Sequence, residues 1–153
     1  MADLFPENGA VAADTGDLAA DNGGTVSFGR SWRFDYGMGE FVRTPTGKIA
    51  VVTDTDAWVE WCCKALQTER YHYMAYSRDY GQEFDGLIGS GLSRSAVESE
   101  IRRLTRETLM SDPRTAGVDD FSFRWEADRC YYTCTITNVR DETESITGSV
   151  VNS

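Results

Sequence analysis

Apolar residues along this chain follow two different periods in two different regions. Between about Thr55 and Tyr73, Trp58, Trp61, Cys62, Ala65 and Leu66 fall at i, i+3, i+4, i+7 and i+8, the spacing of one helical face. At ~100° per residue the same stripe runs on through Glu69 to Tyr73, while Arg70 points about a quarter turn away. Asp54 and Asp56 stand at the positive end of this helix, and Arg70 and His72 near its negative end. A second helix is expected from Ser95, where Ser95 and Glu98 form a capping box and Val97, Ile101, Leu104, Thr108 and Leu109 share one side. Pro113 cannot continue it, so it should end by about Ser111.

Elsewhere the period is two. Val26, Phe28, Trp32, Phe34 and Tyr36 alternate with small or polar residues and predict an extended segment, interrupted by Gly37 and Gly39. Segments 40–44 and 48–53 flank Thr44-Pro45-Thr46-Gly47, whose proline and glycine positions favour a type I turn and a small hairpin. Residues 74–92 are rich in aromatics and glycine and predict an ordered loop. After the second helix, Phe121, Phe123, Trp125 and Ala127 alternate, then Cys130, Tyr132, Cys134 and Ile136, then Ile146, Gly148 and Val150: three short antiparallel strands. Helices grouped before a run of strands predict an α+β class, with two main helices packed on a small antiparallel sheet and an N-terminal extended arm and hairpin.

Composition narrows the functions. The 153 residues suit one domain over 23–153, and 15 basic against 25 acidic residues give a net charge of −10. That field repels nucleic acid and anionic membranes, so neither is an expected partner. Residues 1–22 carry Asp3, Glu7, Asp14, Asp17 and Asp21 with no base and no periodicity, which reads as an acidic flexible or partner-ordered arm. The start lacks a basic n-region, and no segment approaches the ~18 apolar residues of a membrane span, so synthesis in the cytoplasm is expected. In a reducing compartment the four cysteines read as buried free thiols. Cys62 and Cys63 diverge by ~100° on a helix, and Cys130 and Cys134 would stand ~13 Å apart on a strand, too far for a bridge or a shared metal.

Candidate chemistry is sparse. Gly86, Gly89 and Gly91 precede a helix, yet neither a G-x-G-x-x-G nor a Walker lysine accompanies them, and a tight loop explains them. His72 is the single histidine, sits at the expected helix end and cannot build a usual metal site. Glu69, Asp79, Glu83 and Asp85 are near enough in sequence to supply the two carboxylates of a glycosidase, but no spacing singles out a pair. No catalytic residue, metal or cofactor is expected. Glu69 itself is the anomaly: a carboxylate on an apolar stripe requires a buried cation or a bound neighbour.

From Phe34 to about Phe123 the chain resembles contractile-tail baseplate proteins, the phage wedge and sheath-initiator family that includes those of defective Bacillus prophages. The resemblance is carried by Phe34-Asp35, Gly39-Glu40-Phe41-Val42, Thr68-Glu69-Arg70-Tyr71, Tyr76-Ser77, Asp79-Tyr80-Gly81, Leu87-Ile88-Gly89, Glu100-Ile101, Asp112-Pro113-Arg114 and Val118. Where the wedge relatives usually have Glu-Pro-Arg, this chain has Asp112, one methylene shorter. The resemblance implies a structural subunit, not an enzyme, present in several copies in the virion at the tail baseplate. Its implied partners are the tail sheath protein, other baseplate wedge proteins and the tail tube or hub proteins, with the first sheath ring assembling on strands the subunit offers.

Strand addition needs an exposed edge. The edge is expected on strands near 130–137 and 145–151, at Tyr131, Thr133, Thr135, Thr137, Ile146 and Val150, with Asp141, Glu142 and Glu144 charging the loop between them. An ordinary sheet without a partner is the plain alternative. Glu69 and Arg114 are expected to pair, since a guanidinium satisfies a carboxylate with two parallel hydrogen bonds. Otherwise Glu69 lies exposed at a frayed helix end or tied to Arg70 or Arg78. Two alternative functions are a tail-associated peptidoglycan hydrolase using Glu83 or Asp85 and a tail-completion or connector protein.

Overall fold

The computed structural model describes residues 25–151. The acidic stretch 1–22 lies outside the described residues. The N-terminal part is built from four short strands, β1 (Arg30–Trp32), β2 (Phe34–Asp35), β3 (Glu40–Phe41) and β4 (Val51–Thr53). β1 pairs antiparallel with β4 and β2 with β3. The expected turn closes between them: Gly47 N donates to Thr44 O at 2.8 Å, and Thr44 N to Lys48 O at 2.7 Å. Gly47 is at φ +81°, a conformation that costs glycine little.

Helix α1 spans Asp54–Gln67 and helix α2 Arg94–Met110. The apolar stripes read from the sequence are the buried faces: Trp58, Cys62, Ala65 and Leu66 on α1, and Val97, Ile101, Leu104, Thr108 and Leu109 on α2. α2 stops where Pro113 requires, with Ser111 as its C-cap. Its start differs from expectation. Ser93 is the N-cap, accepting from Ala96 N at 3.3 Å, so Ser95 lies inside the first turn and forms no capping box.

α1 ends before the stripe does. Thr68 is extended, and its hydroxyl donates back to Lys64 O at 2.8 Å. The chain from 68 to 70 then pairs in parallel with Gln82: Gln82 N donates to Thr68 O and Arg70 N to Gln82 O, each at 2.8 Å. Gly81 permits this approach, because a Cβ there would stand 2.6 Å from Thr68 O and its φ is +100°. Main-chain pairing to a distant segment thus overrides a periodicity that continued on paper. His72 and Tyr73, expected at the helix end, lie beyond it and are exposed. Residues 74–92 form turns, and Phe84 and Ile88 enter the core.

β5 (Thr115–Glu126), β6 (Arg129–Asn138) and β7 (Thr143–Val151) form a three-stranded antiparallel sheet in the order β5-β6-β7. At 12, 10 and 9 residues the strands are longer than expected. Over the described residues the protein is therefore mixed α+β, with two helices and small antiparallel sheets. One apolar cluster joins Trp58, Cys62 and Leu66 of α1, Ile101 and Leu109 of α2, and Tyr132, Cys134, Ile136, Ile146 and Val150 of the sheet.

Candidate functional site

Two arginines pin the segments around the sheet, and neither is bound to Glu69. Arg114 follows the proline after α2 and closes a fork on Asp112, with Nη2 to Oδ2 at 2.6 Å and Nε to Oδ1 at 2.9 Å. Asp112 Oδ1 also accepts Arg114 N at 2.8 Å, so the shorter acid here makes a full set of contacts. The remaining Nη1 donates to Phe28 O at 2.8 Å, and the guanidinium lies 5.9 Å from the Trp61 ring centroid. Side-chain exposure is 6% for Asp112 and 15% for Arg114, a nearly dry pair. Asp112-Pro113-Arg114 thereby ties the end of α2 to the strand entering from Phe28 and to α1.

The expected Glu69–Arg114 pair does not form. Glu69 stands past the end of α1 with its side chain 56% exposed, 3.3 Å from His72 Nδ1. The buried ion of that motif is its neighbour. Arg70 is 7% exposed in its side chain and reaches Glu107 of α2 at 2.8 Å, Glu83 at 3.0 Å and Gly81 O at 3.1 Å. Burial works against its charge, but the hydrogen bond to Glu107 and the charges of Glu83 and Glu107 raise its pKa, and the same bond lowers that of Glu107. Arg70→Ala should cost about 2–3 kcal/mol, less than a fully buried pair because both carboxylates return to water. Glu69→Gln should stay within about 0.5 kcal/mol of the parent. Chemical denaturation of both variants checks the ranking, and equal losses would return the structural role to Glu69.

The residues expected at a sheath-accepting edge are divided between a central strand and an edge strand. Tyr131, Thr133, Thr135 and Thr137 lie on β6, which is central and paired on both sides, so their main chain is not available. Ile146 and Val150 do lie on an edge strand, β7, but their side chains are buried against the core. β7 pairs with β6 through nine consecutive residues without a register shift. Asn138 N donates to Glu142 O at 3.0 Å and sets the phase of this ladder. Antiparallel alternation then turns the main-chain groups of Thr143, Ser145, Thr147, Ser149 and Val151 away from β6. Beside β7 runs an open groove of about 540 Å³, with Cys63 and Leu66 of α1, Phe84, Ile146 and Val150 on its apolar wall.

The opposite edge is guarded along part of its length. β5 carries two register shifts, and Asp120 within the second is at φ +52°. Arg106 donates to Val118 O at 2.8 Å and bridges to Asp119 at 3.1 Å. Arg94, Glu98, Arg102 and Arg106, four apart on α2, lie along the β5 aromatics: Arg94 is 5.0 Å from the Trp125 ring and Arg102 5.5 Å from Phe123, and Trp125 Nε1 donates to Glu98 at 2.8 Å. Bulges and charge are the ordinary guards of an edge strand, and β5 has both.

Other candidate chemistry is not assembled. Glu69, Asp79, Glu83 and Asp85 are all exposed. All four cysteines are free; burial pushes Cys63, Cys130 and Cys134 up to about 11 and Cys62 further, so they remain neutral thiols. Among the described residues no group of three or more His, Cys, Asp or Glu is placed to hold a metal ion. Sequence reasoning missed Arg70 as the buried ion, Arg106 as an edge guard and Gly148 beneath Tyr132. Only the second had a readable signal, the four-residue spacing of arginines on α2.

Residues 30–143 match the family model of the contractile injection system sheath initiator. The chain is also similar to the phage-like element PBSX protein XkdS of Bacillus subtilis (strain 168), at 34% identity over 79 residues. That alignment spans 51% of this chain and 56% of the relative's length. The matched region 30–143 runs from β1 through both helices and both arginine pins to the first residue of β7, and on that extent the chain belongs to the contractile injection system sheath initiator family.

Proposed function

We propose that this protein is a structural subunit of a contractile-tail baseplate, joined to wedge proteins around the tube, and that β7 accepts a strand from a sheath subunit. The observation that carries this reading is the contrast between the two sheet edges. β5 is bulged and capped by arginine, whereas β7 is regular and has an apolar groove beside it. Strand addition draws its affinity from main-chain hydrogen bonds and its selectivity from pockets for alternate side chains, and β7 with its groove supplies both. An incoming strand would place every second side chain against Leu66 and Phe84. Family membership supports the sheath as the source of that strand.

Thr147→Pro tests the reading. Thr147 belongs to the set whose N–H turns outward, so proline there removes a donor to the incoming strand and leaves the β6–β7 ladder intact. The variant should fold normally, and the number of sheathed tails seen by electron microscopy should fall about tenfold or more, the factor given by losing one to two kcal/mol of main-chain pairing. Sheathed tails at the parental level, with the variant incorporated, would remove β7 as the accepting edge.

A further inference from the structure

The turn between β6 and β7 is stapled to the rest of the molecule. Asn138, fully buried, accepts Arg140 N at 2.8 Å and Glu142 N at 3.1 Å on Oδ1, and its Nδ2 donates to Glu142 Oε2 at 2.9 Å. Asp141 takes a left-handed φ of +62° within this tight loop, a conformation that aspartate tolerates. Side chains of the loop then reach other elements. The Thr55 hydroxyl in the first turn of α1 donates to the Glu142 carboxylate. Arg140 donates to Asp54 at 3.2 Å, and its guanidinium stands 3.9 Å from the centre of the Phe28 ring. Val139 N donates to Arg114 O at 2.9 Å. The bonds from Thr55 and Asn138 hold the Glu142 carboxyl below the usual carboxylate range. A charge expected only to guard the loop is therefore engaged within the fold.

We infer that Arg140 and Glu142 are positioning residues for the groove beside β7, fixing its β7 wall against its α1 wall. Their role in assembly rests on β7 as the accepting edge. The groove takes one wall from each of two elements, Cys63 and Leu66 from α1 and Ile146 and Val150 from β7, with open space between them. The same two elements are joined at the staple, through Thr55 in the first turn of α1 and Glu142 one residue before β7. Leu66 lies about 16 Å of helix from Thr55, so a rotation of about 10° at the staple moves the α1 wall by about 3 Å. That is more than half of the ~4.8 Å between neighbouring strands, enough to put a side chain of an incoming strand out of its pocket. A groove held at one width spares the partner the cost of ordering it.

Pulsed electron paramagnetic resonance on the whole chain tests this. Nitroxides carried on p-acetylphenylalanine in place of Gln67 and Ser149, both exposed and one on each wall, avoid the four native thiols. The parent should give one narrow distance. Arg140→Met/Glu142→Ala, which leaves an alkyl stem over Phe28, should broaden that distribution about twofold or more. It should still melt within about 5 °C of the parent, because the bonds it loses to Asp54 and Thr55 are exposed. Glu142→Gln keeps an acceptor for Thr55 and should match the parent. A double variant as narrow as the parent would overturn the proposal. So would Glu142→Gln as broad as Glu142→Ala, which would make the charge, not the staple, the active feature. Sheathed tails should fall about threefold or more in the double variant. A broadened distance with sheathed tails at the parental number would keep the staple and remove β7 as the accepting edge.

Discussion

Asp112→Ala should be the most damaging single change at the end of α2, lowering stability by about 3–5 kcal/mol and the melting temperature by about 10 °C or more. The size follows from what it leaves behind. Arg114 is only 15% exposed and draws three of its contacts from Asp112, so its charge would remain buried with the Phe28 carbonyl and the Trp61 face as partners. Removing both members avoids that stranded charge, and Asp112→Ala/Arg114→Met should lose less than Asp112→Ala alone. Asp112→Glu keeps the carboxylate but lengthens the arm, forfeiting the tight bond to Arg114 N for about 1 kcal/mol. Thermal melts of the three variants decide it: a double variant worse than Asp112→Ala would show that the arginine stabilises through packing rather than through the pair.

The same motif shows where sequence reasoning succeeds and where it fails. The apolar faces of both helices and the alternation of β5–β7 were legible because burial enforces a period, and a wrong register would expose Trp58, Ile101 or Tyr132. The end of α1 was not legible. Its period continued to Glu69, but Thr68 and Arg70 bond instead to Gln82, a partner chosen by the fold and invisible to a local pattern. That one displaced helix end moves the buried ion from Glu69 to Arg70 and leaves Arg114 for Asp112. The central place of β6 was accessible in principle, since three sequential strands joined by tight turns put the middle one between the others. The contrast between the two outer edges was not: it depends on the bulges of β5 and on Arg106, features set by tertiary contacts. Family membership and the geometry of the edges therefore answer different questions, the one about assembly and the other about why β7 is the strand we propose to meet a partner.

Gly148→Ala should act on that strand directly. Gly148 pairs with Tyr132 across the β6–β7 ladder, and a methyl at its position would lie 2.5 Å from both Cζ and Oη of the tyrosine and 2.8 Å from Cε1. The ring cannot simply swing aside, because it is 2% exposed and packs edge-on against Phe84 at 5.9 Å. Either Tyr132 leaves its place in the core or β7 moves outward, and overpacking of this kind costs about 2–3 kcal/mol. Tyr132→Leu removes the obstructing ring at its own cost in buried area. The two changes should therefore be strongly non-additive, with the double variant at least about 1 kcal/mol more stable than the sum of the single losses predicts. Additivity within about 0.5 kcal/mol would show that the methyl is accommodated without touching the ring. Because Gly148 sits between Thr147 and Ser149, whose main-chain groups turn outward, a displaced β7 would also present a bent edge. Gly148→Ala should then depress sheath initiation beyond its loss of stability, whereas Tyr132→Leu, which leaves the β7 backbone in place, should depress it only in proportion to its own.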